Sequence, residues 1–130
     1  MRKTVCLLLV SILLVSLLAV AGCSSNATGV AKTFMTLVKD GKYDEAYTML
    51  TTAKRQQVSL EQFKADLQAR DAEKGPITAF KINVKKSILS GSVTAMVLVE
   101  VTRAKDGQSV TENLSLGLNT EDGKWALGSY

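Results

Sequence analysis

The chain has no histidine in its 130 residues, only two cysteines, one proline and one tryptophan, and aromatic residues make up just 5% of it. Without histidine there can be no Ser-His-Asp or Cys-His constellation and no ordinary His-ligated zinc site. No glycine-rich phosphate cradle is present, so nucleotide chemistry of the familiar kinds is not expected. Charge of one sign is not in large excess either: 16 basic residues stand against 12 acidic ones. Two of the basic residues, Arg2 and Lys3, belong to an amino-terminal segment treated below; without them the balance is 14 to 12. That is not the balance of a nucleic-acid-binding domain. The densest basic group, Lys81, Lys85 and Lys86, has no neighbouring exposed aromatics for base stacking and reads as a solvated strand face.

The one long apolar run lies at the start. Arg2 and Lys3 precede an almost unbroken apolar stretch from Val5 to Ala21. It is slightly short for a membrane span, has no Trp or Tyr at its ends and closes on small residues, which favours a removable secretory signal. Val20-Ala21-Gly22-Cys23 resembles a bacterial lipobox. The resemblance implies cleavage between Gly22 and Cys23 and lipidation of the Cys23 sulfur, with the mature chain attached to the bacterial cell envelope and facing away from the cytoplasm. Ser24 and Ser25 lack the Asp that resembles an inner-membrane retention signal, so the cell membrane and an outer membrane both stay open. Cys6 would leave with residues 1–22 and Cys23 would be consumed by lipid. No thiol then remains for a disulfide, a metal or catalysis. Residues 23–29, "CSSNATG", read as a lipidated tether, and 30–130 as one domain of ordinary size.

Within that domain the hydrophobic period is first helical. Val30, Phe34, Leu37 and Val38 fall on one face and Gly41 supplies a left-handed stop. Tyr43, Ala46, Tyr47 and Leu50 suggest a short second helix. "SLEQ" at Ser59–Gln62 is a capping-box pattern opening a third, with Leu60, Phe63 and Leu67 on its apolar stripe and "KGP" at Lys74–Pro76 ending it. From Phe80 the period becomes two. Phe80, Ile82 and Val84 alternate with polar residues, and "SGS" at Ser90–Ser92 predicts a hairpin turn. The next strand places Val93, Ala95, Val97, Val99 and Val101 on its inward face. "KDGQ" at Lys105–Gln108 and "EDGK" at Glu121–Lys124 predict two further turns. Leu114, Leu116 and Leu118, then Trp125 and Leu127, face inward beyond them. The expected fold class is α+β, three N-terminal helices packed on a curved four-stranded antiparallel sheet.

"GKYDEAY" at Gly41–Tyr47, "SLEQFK" at Ser59–Lys64 and "EDGKWAL" at Glu121–Leu127 together resemble small bacterial lipoproteins of the nuclear-transport-factor-2-like (cystatin-like) superfamily, in particular its lumazine-binding-like domains of unknown function. The resemblance covers residues 27–130. It implies a cone-shaped fold and frequent homodimers through the outer sheet face. "GKYDEA" is also similar to one turn of a tetratricopeptide repeat, but it occurs once and strands follow.

The expectations for function follow from the cone. A binding domain would hold a small apolar ligand among Tyr47, Phe80, Val97, Leu116 and Trp125, or would bind a partner protein. Met96 and Leu98, large and apolar on the outward face beside Glu100, suggest a dimer contact. A structural or assembly role would go with a filled cone. Superfamily enzymes resemble one another in placing an acid or base inside the cone; an isomerase-like activity here would need Glu100, and alternation turns Glu100 outward unless a bulge shifts the register. The expectation is a non-enzyme with no metal, no cofactor and no nucleic-acid partner.

Overall fold

The computed structural model describes residues 26–85 and 94–130. The lipobox with Gly22 and Cys23, the "SGS" turn, Val93 and Lys86 lie outside those residues. Helix α1 spans Ala27–Lys39. Its first turn is closed by Asn26, whose Oδ1 accepts the Gly29 amide at 2.7 Å, satisfying one of the donors that a helix start leaves open. Helix geometry therefore begins inside the segment read as tether: residues 27–29 belong to the domain. At the other end Gly41 sits at φ 72°. The Lys42 amide reaches Leu37 O at 2.8 Å and the Gly41 amide reaches Val38 O at 3.2 Å, the paired bonds of a glycine-terminated helix.

The chain then forms α2 (Tyr43–Thr48), α3 (Thr52–Gln57) and α4 (Leu60–Lys74). Among the described residues four helices, not three, precede the sheet, and α3 is the one that periodicity misses. Its six residues, TAKRQQ, bury nothing, so they leave no apolar stripe to read. Instead α3 is set by its first turn, where Thr51 Oγ1 accepts the Lys54 amide at 3.2 Å and the Glu121 carboxylate accepts the Thr52 amide at 3.0 Å. Only half of the capping box at α4 forms. Ser59 Oγ accepts the Gln62 amide at 3.2 Å, while the Gln62 side chain turns forward to Asp66 at 2.8 Å.

The sheet is open, antiparallel and ordered β1-β2-β3-β4, from β1 (Ile77–Lys85), β2 (Thr94–Lys105), β3 (Gln108–Glu121) and β4 (Lys124–Ser129). Two of its turns are the Asp-Gly pairs. Asp106 and Gly107 have φ 53° and 76°, and Asp122 and Gly123 have φ 51° and 74°, the doubly positive geometry that suits the twist of paired strands. Ala95, Val97, Val99 and Val101 are buried toward the helices, opposite Leu116 and Leu118, with Leu127 beyond on β4. α1 contributes Val30, Ala31, Phe34, Met35 and Val38, and α4 contributes Phe63 and Leu67. Fully burying a side chain of this size is worth roughly 1.5–3 kcal/mol, so this single core is the main source of stability. Among the described residues no helix is long and apolar enough to cross a membrane.

The two sheet edges differ. β4 is closed by the turn after α2: the Thr51 amide donates to Leu127 O at 2.8 Å and the Leu127 amide donates to Met49 O at 2.9 Å. β1 has no such cover from described backbone outside the sheet.

Candidate functional site

Three regions could carry function: the interior between helices and sheet, the sheet's outer face, and the end of the sheet where α4 meets β2 and β3. In the interior, Val97 and Leu116 are fully buried and Phe80 and Trp125 half-buried, all packed in or against the one core. Tyr47 does not offer a free hydroxyl; it donates to Val58 O at 2.8 Å and to Arg55 O at 3.3 Å, and its ring lies 5.6 Å from that of Phe63. Of the five residues read as pocket lining, only Leu116 borders the small interior cavity among the described residues. A cavity of about 20 Å³ is left there, bordered by Phe34, Met35, Leu67, Arg70, Leu116 and Tyr130 among others. That is room for at most a water molecule or so, far below a ligand-sized pocket of roughly 300–1,000 Å³.

The outer face carries Met96, Leu98 and Glu100. Met96 is 50% exposed, and Leu98 and Glu100 are half-buried. Across the ladder Glu100 stands opposite Lys81 and Asn113, and Leu98 opposite Asn83 and Ser115. The pairing is regular through Glu100; the irregularity in β1 falls between Ile77 and Ala79. The shift that would have turned Glu100 into the interior is therefore not made.

At the far end of β2 the inward row that began with Ala95 ends in Arg103, and the sequence reading missed it. Arg103 is only 4% exposed. Its Nε donates to Glu112 at 2.8 Å, and its Nη1 donates to Asp71 at 2.7 Å and to Gly75 O at 2.8 Å. Lys74 reaches the same Glu112 carboxylate at 2.7 Å, Lys105 bonds to Glu73 O, and the Tyr43 hydroxyl donates to Asp71 at 3.3 Å. The inward row read from the sequence stopped at Val101; alternation continued two residues further would reach 103, but a charge near a strand end ordinarily reads as solvated. Its partners sit 32 and 9 residues away, which periodicity does not reveal.

The electrostatics follow from these contacts. The hydrogen bond from Lys74 holds the Glu112 carboxyl below its ordinary value; burial works against it, and Arg103 adds to it. Burial by itself would lower the Arg103 pKa, but the bonds and charges of Asp71 and Glu112 outweigh that and raise it. Tyr43 is raised, first by burial and then by Asp71. A shallow cleft of about 300 Å³ opens beside this cluster, lined by Lys74, Arg103, Lys105, Val110 and Glu112. Every cation there is already engaged by a carboxylate or a carbonyl at the α4 terminus, and Glu112 is shifted the wrong way for a general base at neutral pH. The cluster is a clasp that joins α4 to the β2–β3 hairpin. Among the described residues no group of His, Cys, Asp and Glu is arranged to hold a metal ion.

A depressed carboxylate pKa contributes stability that is present above its unfolded value and lost as pH falls through the folded one. Unfolding by urea should therefore become easier as pH falls below about 4.5, the ordinary Glu112 value. In Glu112→Gln the midpoint should be lower at pH 7 and should change less between pH 5 and 3 than in the wild type. Equal acid sensitivity of the two proteins would show that Glu112 does not carry the effect.

No family model matches this chain, and comparison with curated proteins gives no match.

Proposed function

We propose that this is a lipid-anchored bacterial envelope protein whose nuclear-transport-factor-2-like domain acts by binding another protein, beginning with a second copy of itself, through the outer face of its sheet. The observation that carries this reading is the contrast between the two sides of one sheet. Among the described residues its inner side carries the buried core beside a cavity of about 20 Å³, whereas its outer side leaves Met96 half exposed next to Leu98. A filled interior favours the protein-binding and assembly reading over a small apolar ligand resting in an open cone. Helices followed by an antiparallel sheet of order β1-β2-β3-β4, with the helices on one face, support the superfamily reading, with one helix more than expected among the described residues. The anchor rests on Val20-Ala21-Gly22-Cys23. Two acyl chains or more hold a protein firmly, at about 0.8 kcal/mol per buried methylene.

Native mass spectrometry of the protein extracted from membranes in detergent tests both parts. The expected species is a dimer of chains that start at an acylated Cys23, and Leu98→Lys should convert it to monomer. An unmodified full-length mass would remove the anchor, and a wild-type monomer at tens of micromolar would remove the dimer.

A further inference from the structure

The two edges of the sheet are finished differently, and the unfinished one has a chemistry of its own. β4 is tied to the turn after α2 through Thr51, Leu127 and Met49, whereas among the described residues no backbone outside the sheet bonds to β1. Pairing of β1 with β2 is irregular between Ile77 and Ala79, then runs in step from Ala79 opposite Thr102 to Lys85 opposite Met96. In a regular antiparallel pair, alternate residues turn their N–H and C=O groups away from the partner strand. Ala79–Lys85 therefore presents a row of donors and acceptors along the open side. The side chains are unfinished too. Phe80 and Ile82 stand opposite Val101 and Val99 on the inner face; the two valines are fully buried, but Phe80 and Ile82 are only half-buried, since an edge strand has neighbours on one flank alone. On the outer face Ala79, Lys81 and Asn83 are exposed.

From this geometry we infer that the β1 edge is a strand-addition site for an extended segment of a partner protein in which apolar residues alternate with acidic ones. The apolar set would continue the inner row beyond Phe80 and Ile82. The acidic set would stand beside Lys81, on the side away from its existing neighbour Glu100. Charge selects this occupant. β1, ITAFKINVK, carries two lysines and no acidic residue, so β1 of a second copy would bring lysines toward lysines, the means by which exposed edges ordinarily avoid self-pairing. An acidic strand turns the same lysines into favourable cross-strand pairs. In such additions main-chain bonds supply attachment and the alternating side chains supply choice. The inference rests on the reading of this domain as a protein-binding one, but not on the lipid anchor or on the outer-face dimer.

The test uses the full chain in detergent and the peptide acetyl-Val-Glu-Val-Glu-Val-Glu-Val-amide. Binding should be saturable and should slow hydrogen exchange at alternate amides of Ala79–Lys85. Exchanging the peptide's glutamates for lysines should weaken it about tenfold or more. Lys81→Gln, a change at an exposed position, should weaken the glutamate peptide several-fold and leave acetyl-Val-Thr-Val-Thr-Val-Thr-Val-amide unaffected. N-methylation of the peptide's valines or of its glutamates should abolish binding in one case only, because only one set of amides faces β1. The dimer mass should be the same with and without peptide, so this contact and the outer-face contact are read separately. No added protection at millimolar peptide overturns the proposal. So does equal affinity for the glutamate and lysine peptides, or binding that survives both methylations. Protection of every Ala79–Lys85 amide before peptide is added would show the edge covered by the chain itself and would overturn it as well.

Discussion

Gly75→Ala should be among the most destabilising single-methyl changes available in this domain. Gly75 ends α4 at φ 87° and ψ 158°, a region of backbone space that is essentially glycine's alone and costs another residue roughly 1–3 kcal/mol. Space is lacking as well: a Cβ there would drive into the Ala104 carbonyl oxygen, which is backbone and cannot rotate away. The same residue's carbonyl accepts the buried Arg103, so a shift of Gly75 would also pull on the clasp. A loss of about 3 kcal/mol or more is expected, against a total of roughly 5–15 for a domain of this kind. The thermal midpoint should fall by something on the order of 15 °C. Gly41→Ala is the control. Its φ of 72° is also positive, but a Cβ there meets nothing within 4 Å, so only the backbone penalty of about 1–2 kcal/mol applies. Equal midpoints for the two variants would contradict the steric argument.

Arg103→Met should cost about as much by a different route. Methionine nearly restores the volume, so the loss is electrostatic: Asp71 and Glu112 keep their charges, at 28% and 23% exposure, without the guanidinium. Breaking a buried pair by removing one partner typically costs about 3–5 kcal/mol. With both carboxylates partly wet and Lys74 still on Glu112, roughly 2–3 kcal/mol is expected from urea unfolding. Adding Glu112→Gln should recover part of it, giving a double-mutant coupling of about 1 kcal/mol or more. Strict additivity would mean that the clasp is a set of independent surface pairs.

What the sequence made legible was whatever is encoded locally. Gly41 and Gly75 mark helix ends, Ser59 marks a start, and the two Asp-Gly pairs mark hairpins, because each of these features is a matter of a few consecutive dihedral angles or one capping bond. The valine row of β2 made the inner face readable, and with it the outward position of Glu100. The count of helices was not readable, because α3 is held by Thr51 and by Glu121, 69 residues from Thr52, and not by an apolar face of its own. Nor was the filling of the interior. Tyr47, Phe80, Val97, Leu116 and Trp125 were placed near the core by their periodicity, but whether a core closes depends on how Phe34, Phe63 and Tyr130 meet, and those lie on three separate elements.

The Asn26 cap has a consequence for geography. Because α1 is helical from Ala27, under the proposed anchoring only Ser24, Ser25 and Asn26 would separate the folded body from an acylated Cys23, a reach of about 14 Å at full extension. That would be a mooring, not a leash. The domain would ride against the lipid headgroups with its rotation restricted, and two copies would meet by gliding in one plane at one height. A modest attraction between two Met96–Leu98 faces would then suffice for pairing in the membrane where the same domain, cut free, would stay single in dilute solution.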